Sequence, residues 1–403
     1  MNNVMTIPKT IDTAGHRLSR REFLKHTSAT AFGLTVPAVY GAEPSATPPP
    51  LSAVDRFNYV VGTQTIGASY QFTTQPRLIE TAQAIREMGS SVIKFTMDRN
   101  GTGTFQSLRD VAANNPIIKQ IFAMPFAHYV LWAYPINRKK TNQDDSSRNE
   151  ELYDLCCYLL RAFRGTGKSF YLGHWEGDWE IRGDAGSKKD PTADAISRKI
   201  RWLNARQKAV DDAKHDTPHD DVDIFCYAEA NLVRDAMKGR PAMANAVIPH
   251  TNIDYVSYSS YDTTNQHTAE LGEVLDFIES KLPPKPGIKG KRVWIGEYGF
   301  AARHYTPQQQ NEKSREVMKA ALRWGCPFVL YWEMYNNEVK DGKQIGYWLI
   351  DDKNVKQPVY YTHRRLCEFG RQFVADRIKS KNYPPSFDEY RQAAIEFLDK
   401  LKP

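Results

Sequence analysis

The sequence alternates between strand-like and helical patterns eight times, and this alternation restricts the fold more than any other feature. Each short apolar run is followed by a segment whose apolar residues recur at helical spacing. Strand–helix alternation is typical of parallel sheets, because each helix returns the chain to the same edge of the sheet. Eight such units over roughly 320 residues favour a closed (β/α)8 TIM barrel over an open sheet.

The boundaries of these units come from apolar runs, prolines and glycines. The predicted strands are Tyr59–Thr65, Ser91–Met97, Ile117–Met124, Ser169–Trp175, Val222–Ala228, Ile253–Ser259, Arg292–Gly296 and Pro327–Trp332. The predicted helices are Pro76–Met88, Thr104–Ala113, Glu150–Phe163, Pro191–Lys214, Pro241–Val247, Thr268–Lys281, Gln308–Trp324, Thr362–Phe373 and, beyond the barrel, Phe387–Leu401. We therefore expect a barrel over residues 56–378 and a helical extension over residues 379–403.

The amino-terminal segment has the pattern of an export signal. Ser19–Lys25 reads SRREFLK and precedes a mild apolar stretch, Ala29–Val39. This pattern resembles a twin-arginine signal, and the stretch is too short to span a bilayer. We expect residues 1–42 to engage a bacterial twin-arginine export machinery and to be removed, and residues 43–55 to be a linker. The mature chain is then periplasmic or extracellular, with no membrane anchor.

Charge and cysteine content exclude other classes of protein. The formal charge is +7, of which the first 42 residues contribute +3, so +4 remains. A charge this mild, without a Lys/Arg-rich run, argues against a nucleic-acid partner. Five cysteines, an odd number without C-x-x-C spacing, predict free buried thiols. The sequence makes no prediction of oligomeric state.

Two glutamates lie where a predicted strand ends. Glu176 follows the run SFYLGHW and Glu297 follows KRVWIG. Catalytic side chains of β/α barrels lie at these carboxyl ends, and two carboxylates together can cleave a glycosidic bond. Asp178 and Glu180 follow Glu176 closely, but we expect Gly177 to end the strand, which favours Glu176. This chemistry requires no metal or organic cofactor.

Four segments of the sequence resemble segments of a known group of enzymes. IGEYGF and VLYWEMYNNE, at the seventh and eighth predicted strands, resemble the nucleophile and tryptophan-bearing segments of clan A of the glycoside hydrolases. Gly346–Leu366 resembles the clan's loop into the last helix, and Met88–Met97 resembles its second strand. The resemblance covers residues 58–373 and implies retaining (β/α)8 enzymes.

The resemblance also implies roles for particular residues. Glu297 takes the place of the nucleophile, Glu176 that of the acid/base, and Trp332 that of the indole beneath the cleaved sugar. The chain departs from the clan at Trp175, where asparagine is usual, and at Lys94, where arginine is frequent. We expect another group, such as His174 or Glu229, to bind the sugar hydroxyl that the asparagine usually binds.

Further candidates for the substrate site lie near other strand ends. Tyr258 or Tyr261 is expected to donate a hydrogen bond to Glu297, as a tyrosine of the sixth strand does in many clan members. His128 follows the predicted third strand and is a candidate sugar ligand, with a structural role as the alternative. Glu229 and Glu333 are either sugar ligands or supporting partners. The complete set of substrate-binding candidates is Lys94, His128, His174, Trp175, Glu229, Tyr258, Tyr261, Trp332 and Glu333.

The sequence thus predicts a retaining glycoside hydrolase that acts on a poly- or oligosaccharide by a two-glutamate double displacement. The alternative is a non-catalytic carbohydrate-binding TIM barrel, which the substitution at Trp175 favours. A metal-dependent barrel hydrolase is disfavoured, because Thr63, Gln64 and Thr65 occupy the first strand where such enzymes usually have H-x-H.

Overall fold

The computed structural model describes residues 10–11, 17–18, 48–98, 104–136 and 149–401. The predicted export signal therefore lies almost wholly outside the described residues, as does the polar segment 137–148. Thr10–Ile11 and Arg17–Leu18 pair as two short antiparallel strands.

Eight parallel strands close into a barrel, which confirms the predicted (β/α)8 fold. The barrel strands are β1 Val61–Thr65, β2 Val92–Met97, β3 His128–Ala133, β4 Lys168–Gly173, β5 Val222–Ala230, β6 Tyr255–Ser259, β7 Val293–Tyr298 and β8 Val329–Tyr331. β8 closes the barrel by pairing with β1, with Val329 opposite Val61 and Tyr331 opposite Thr63. A hairpin of two short strands, β9 Val339–Lys340 and β10 Lys343–Gln344, follows β8.

Helices connect the strands and cover the barrel. They are α1 Ala53–Arg56, α2 Arg77–Glu87, α3 Leu108–Asn114, α4 Pro116–Ala123, α5 Glu150–Ala162, α6 Gly177–Arg182, α7 Ala193–Asp216, α8 Val233–Met237, α9 Tyr261–Thr264, α10 Leu271–Lys281, α11 Pro307–Trp324, α12 Pro358–Lys381 and α13 Phe387–Lys400. Between β5 and β6 the chain also forms a π-helix, Met243–Val247, and a 3-10 turn, Ile248–His250; a second 3-10 turn, Thr268–Glu270, precedes α10.

The predicted third strand, Ile117–Met124, is wrong, because this segment is helix α4. The side chain of Asn115 caps the helix by accepting hydrogen bonds from the backbone N–H groups of Ile117 and Ile118, and Pro116 occupies the first turn. Asparagine caps and first-turn prolines both favour helix starts. A short apolar run fits a buried helix as well as a strand, and here the cap decides.

Helices lie at both predicted boundaries of the barrel unit. Helix α1 occupies the end of the stretch predicted as a linker, and its Asp55 accepts hydrogen bonds from Arg86 and Arg371. Helix α12 continues past residue 378 to Lys381. Helix α13 docks on the barrel, where the Tyr390 hydroxyl donates to the backbone oxygen of Tyr59 at 2.9 Å. The extension therefore packs against the amino-terminal end of β1.

Two apolar layers surround the strands. The larger layer lies between the strands and the helices, and it includes four of the five cysteines. All five cysteines lie in the described ranges and are buried and unpaired, as predicted. The smaller layer fills the barrel interior with aromatic side chains, among them Tyr171, Tyr227, Trp294 and Phe328. Inward-facing bulky residues of this kind make a TIM barrel a packed core, so ligands bind at its carboxyl end.

Candidate active site

The chain turns sharply after β4 and leaves Glu176 at the barrel mouth. Gly177 ends the strand segment, as predicted, because helix α6 starts at this residue. Asp178 accepts hydrogen bonds from the backbone N–H groups of Asn231 and Met243 at 2.8 and 2.7 Å, so its carboxylate holds loops together. Glu180 pairs with Lys199 and with the hydroxyl of Tyr134. Of these three acids, Glu176 is the one that shares a hydrogen-bonding group, the Ser259 hydroxyl, with Glu297.

Glu297 points into the barrel because β7 carries a bulge. The pairing of β7 shifts register against both neighbours, between Tyr258 and Ser259 of β6 and between Val329 and Tyr331 of β8. A bulge interrupts the alternation of side chains and re-aims one of them. Gly296 faces the interior as well, where a Cβ atom would lie 1.8 Å from the Ser257 hydroxyl. Glycine at this position therefore leaves room for the Ser257 side chain.

The two glutamates share a single hydroxyl group. The Ser259 Oγ atom of β6 donates to Oε1 of Glu176 at 2.7 Å and lies 3.3 Å from Oε2 of Glu297. These two distances place the nearest oxygens of the two carboxylates at most about 6 Å apart. The structure thus brings together the two residues that the sequence predicted to act together.

A buried lysine and a third glutamate lie beneath this pair. Lys94 of β2 donates from Nζ to Oε1 of Glu297 and to Oε2 of Glu229, both at 3.0 Å. Its ammonium group also lies 4.7 Å from the centre of the Trp132 ring. The side chains of Lys94, Glu229 and Glu297 are fully buried, so these charges interact without screening by solvent.

Burial and mutual charge set the protonation of this cluster. Burial would lower the pKa of Lys94, but the carboxylates of Glu229 and Glu297 outweigh it, and the pKa is raised. Burial raises the pKa of Glu229 to about 7; Lys94 opposes this rise, and the charge of Glu297 adds to it. Lys94 therefore stays cationic at neutral pH, whereas Glu229 titrates there.

Aromatic side chains form the walls around the carboxylates. Trp332, directly after β8, lies with its ring centre 6.4 Å from that of Trp132, at the end of β3. Trp175 and Trp179 belong to the same interior cluster. Tyr261 and Tyr347 pack edge to face beside them, with ring centres 6.0 Å apart. Such rings provide apolar faces on which a sugar ring can rest.

Two of the predicted substrate ligands have other partners. The Tyr258 hydroxyl bonds to Asp262 and to Thr263, so of the two tyrosines predicted as donors to Glu297, Tyr258 is excluded. Tyr258 faces outward because strand residues alternate, and Ser257 and Ser259 take the inward positions. His174 accepts from the backbone N–H of Glu229 through Nε2, and its Nδ1 lies 2.8 Å from the Trp175 oxygen. Neither nitrogen is therefore left for a sugar hydroxyl, contrary to our expectation.

The glutamates Glu229 and Glu333 are both buried and bonded to protein groups. Glu229 is within β5, with both carboxylate oxygens bonded to protein groups, which matches the supporting role that the sequence left open. Glu333 is fully buried and accepts a hydrogen bond from the backbone N–H of Ile66 at 2.8 Å. The peptide bond between Trp332 and Glu333 is cis.

His128 begins β3 instead of following it, so it lies at the amino-terminal end of the barrel. Its ring packs against Phe328 and Tyr171, with centres 5.3 and 6.2 Å away. Within the described part of the chain, neither of its nitrogens has a hydrogen-bond partner. The prediction that His128 reaches substrate from a strand's carboxyl end is therefore wrong, and the structural alternative fits.

His128 should make the protein sensitive to acid. Burial lowers its pKa from 6.5 to about 4, so between these values the unfolded chain binds a proton that the folded chain excludes. Stability is then lost as pH falls through this window, by about 2 kcal/mol at pH 5. We expect His128→Phe to lose less stability than the parent protein between pH 7 and pH 5, measured by urea unfolding, with activity unchanged. An equal loss in both proteins would show that His128 does not titrate in this way.

The sequence reasoning missed Ser259, Ser257 and Trp132. The two serines occupy alternate positions of β6, and a strict two-residue period from Tyr255 would have placed them inward with it. Trp132 was hidden by the wrong third strand, because β3 was placed one segment too early. The alternation within HYVLWA, once recognised as the strand, puts Trp132 on the inner face.

The described residues contain no cluster of three or more His, Cys, Asp or Glu side chains suited to hold a metal ion. In the same parts of the chain, no helix has both the length and the apolar character that crossing a bilayer demands.

Comparisons with known proteins give only distant likenesses. Neither a family model nor a curated protein matches the chain. Among solved structures, it is similar to a GH5_18 protein from Streptomyces cattleya in complex with Manb1-4GlcNAc, at 12% identity and a TM-score of 0.48, over 81% of this chain and 82% of that one. A GH5_18 from Bifidobacterium longum subsp. infantis gives 13% identity and a TM-score of 0.48, over 77% and 78% of the two chains. The catalytic domain of a mannanase from Streptomyces sp. SirexAA-E gives 14% and 0.43, over 82% and 94%. Likenesses this weak carry no argument about activity, which depends on the site itself.

Proposed function

We propose that this protein is a retaining glycoside hydrolase in which Glu297 is the nucleophile and Glu176 the acid/base. The observation that carries this proposal is the Ser259 hydroxyl between the two carboxylates, whose nearest oxygens lie at most about 6 Å apart. Retaining glycosidases need a short separation, about 5–5.5 Å, because the nucleophile reaches the anomeric carbon directly and no water fits between.

The reaction proceeds in two displacements. First, a Glu297 oxygen bonds to the anomeric carbon while the glycosidic C–O bond breaks, and Glu176 gives its proton to the departing oxygen. Then Glu176, now ionised, takes a proton from water, the water oxygen bonds to the anomeric carbon, and the bond to Glu297 breaks. Both residues return to their starting states, and the sugar retains its anomeric configuration.

The closeness of the two carboxylates supports the unequal protonation that this reaction needs. Two ionised carboxylates this close repel each other, so a proton held by one of them is favoured. Lys94 forms an ion pair with Glu297 at 3.0 Å, so a positive charge lies beside the proposed nucleophile. The proton then resides on Glu176, as an acid catalyst requires.

The substrate is proposed to rest on aromatic rings. The ring centres of Trp332 and Trp132 lie 6.4 Å apart, and the Trp132 ring lies beside Lys94, which contacts Glu297. Contact between sugar C–H groups and an indole face contributes about 1 kcal/mol, by analogy with aromatic packing. We propose a poly- or oligosaccharide as the substrate class, because several rings are available at the mouth.

A panel of β-linked glycans tests the proposal. We expect the purified protein to release reducing ends from at least one glycan. The Tyr227→Phe variant is expected to keep this activity. Tyr227 faces the same barrel interior, but its hydroxyl has no hydrogen-bond partner among the described residues. Binding to glycans without any hydrolysis would favour the carbohydrate-binding barrel instead.

We further propose that the protein is exported in a folded state, on the basis of the SRREFLK segment. Changing Arg20 and Arg21 together to lysine is expected to keep most of the protein in the cytoplasm, because twin-arginine signals depend on the arginine pair. Cell fractionation and immunoblotting measure this. Equal amounts of both proteins outside the cytoplasm would contradict the assignment.

A further inference from the structure

Glu229 is bonded to the backbone of Glu176 and, through Lys94, to the side chain of Glu297. Its Oε1 atom accepts a hydrogen bond from the backbone N–H of Glu176 at 3.1 Å. Its Oε2 atom accepts from Lys94 at 3.0 Å and from the Ser257 hydroxyl at 2.8 Å. Through Lys94, the same oxygen is linked to the carboxylate of Glu297. One buried carboxylate thus connects the turn after β4 with the bulge of β7.

The charges of this cluster do not cancel. Above the pKa of Glu229, which is about 7, ionised Glu229 and Glu297 contribute two negative charges against the one positive charge of Lys94, all fully buried. Burying such a cluster is costly, and apolar residues of similar size often stabilise a fold better. A net negative charge beneath the anomeric carbon instead favours a transition state with oxocarbenium-ion character. The arrangement therefore fits a catalytic purpose better than a purely structural one.

We propose that Glu229 is a positioning residue that holds Glu176 and Glu297 in register and supplies the excess negative charge of the site. It acts through its neighbours, because its own oxygens are bonded to protein groups and do not reach substrate. This inference rests on the proposed function. It assigns to Glu229 a role that departs from the sugar-ligand alternative considered from the sequence.

Several titratable or polar groups face Glu229 from the surrounding elements. They are Lys94 from β2, His174 and Glu176 from the end of β4, Tyr227 from β5 itself, Ser257 from β6 and Glu297 from β7. Burial lowers the pKa of His174 to about 3, so it stays neutral where the enzyme works. Burial also raises the pKa of Tyr227 well above 10, so its phenol stays neutral. The charge balance therefore depends on the lysine and the three glutamates.

Two substitutions separate charge from position. Glu229→Gln keeps the size of the side chain and an acceptor for the Glu176 N–H, but it removes the charge. We expect kcat to fall about 10²-fold with KM nearly unchanged, which is the effect of a misplacement of about 1 Å in other sites. The parent protein should show an acid limb of kcat/KM near pH 7, where Glu229 ionises, and Glu229→Gln should lack this limb because an amide has no proton to lose there.

Glu229→Asp keeps the charge and shortens the reach. We expect kcat to fall in this variant too, but the pH limbs should stay within a few tenths of a unit of the parent protein. Tyr227→Phe, two residues earlier on the same strand, is expected to change neither kcat nor the profile. Thermal unfolding of all three variants shows whether each is folded. If Glu229→Gln is not folded, Glu229→Asp still tests whether the position of the carboxylate matters.

The outcomes distinguish this inference from the proposed function. If the parent protein hydrolyses glycans but Glu229→Gln keeps its kcat and pH profile, the positioning role is wrong and the two-glutamate mechanism stands. If folded Glu229→Gln loses kcat but keeps the acid limb, the charge part of the proposal is wrong. If the parent protein cleaves no glycan, the failure lies with the proposed function.

Discussion

Replacing Glu297 by glutamine is expected to reduce turnover on the order of 10⁵-fold or more, the size of loss seen when a covalent nucleophile is removed. The amide keeps the shape of the side chain but cannot attack the anomeric carbon. It also loses one of the two anionic partners of Lys94, which lies 3.0 Å from the Glu297 carboxylate. Steady-state hydrolysis of the best substrate from the glycan panel measures the effect.

The control for this prediction is chemical replacement of the missing nucleophile. In Glu297→Ala, added azide or formate should occupy the vacated space and attack the anomeric carbon of an activated aryl glycoside. Partial recovery of activity, with a product of inverted configuration in azide, is expected. Glu297 would not be the nucleophile if a folded Glu297→Gln variant retained turnover within 10-fold of the parent protein on every cleaved glycan. A 10-fold loss is far smaller than the roughly 10⁵-fold loss expected when a nucleophile is removed.

Glu176→Ala should lose activity in proportion to the need of the leaving group for a proton. For natural glycans we expect kcat/KM to fall by about 10²–10⁴-fold, the usual contribution of general acid catalysis. For aryl glycosides with strongly acidic phenols the first displacement needs no proton, so kcat/KM should change little. Measuring kcat/KM for a series of phenols tests this dependence.

A uniform loss over the whole series would contradict the acid/base role of Glu176. The nearby acids Asp178 and Glu180 provide the comparison, because the structure bonds the first to backbone N–H groups and the second to Lys199. Glu180→Gln should show no dependence on the leaving group. A leaving-group dependence in Glu180→Gln instead of Glu176→Ala would move the acid/base role to Glu180.

The fold could be predicted from the sequence because barrel architecture repeats one pattern eight times. Seven predicted strands overlap the observed ones, so the error at Ile117–Met124 did not change the fold class. That error has a local cause: an apolar run of eight residues fits either a buried helix or a strand, and the cap at Asn115 was overlooked. Its consequence was functional, since it placed His128 at the wrong end of the barrel and hid Trp132.

The site could be predicted only as far as strand ends reveal it. The carboxyl-end positions of Glu176 and Glu297 follow from the order of strands and loops. The direction of Glu297 does not, because it depends on a bulge that shifts register between β6, β7 and β8. The bridge through Ser259 and the buried pair of Lys94 with Glu229 depend on contacts across the barrel. Those contacts join residues far apart in sequence, and no local pattern encodes them.

The most direct test of the account is the mass of the intermediate on the enzyme. A fluorinated β-glycoside with an activated leaving group slows both displacements and accumulates the covalent glycosyl-enzyme. Digestion and mass spectrometry then locate the sugar. We predict a single ester-linked sugar on Glu297, which Glu297→Gln does not form. A sugar attached to Glu176 or Glu229 would contradict the account. Hydrolysis of the unfluorinated substrate with inverted configuration, and with no covalent adduct on the protein, would contradict it as well.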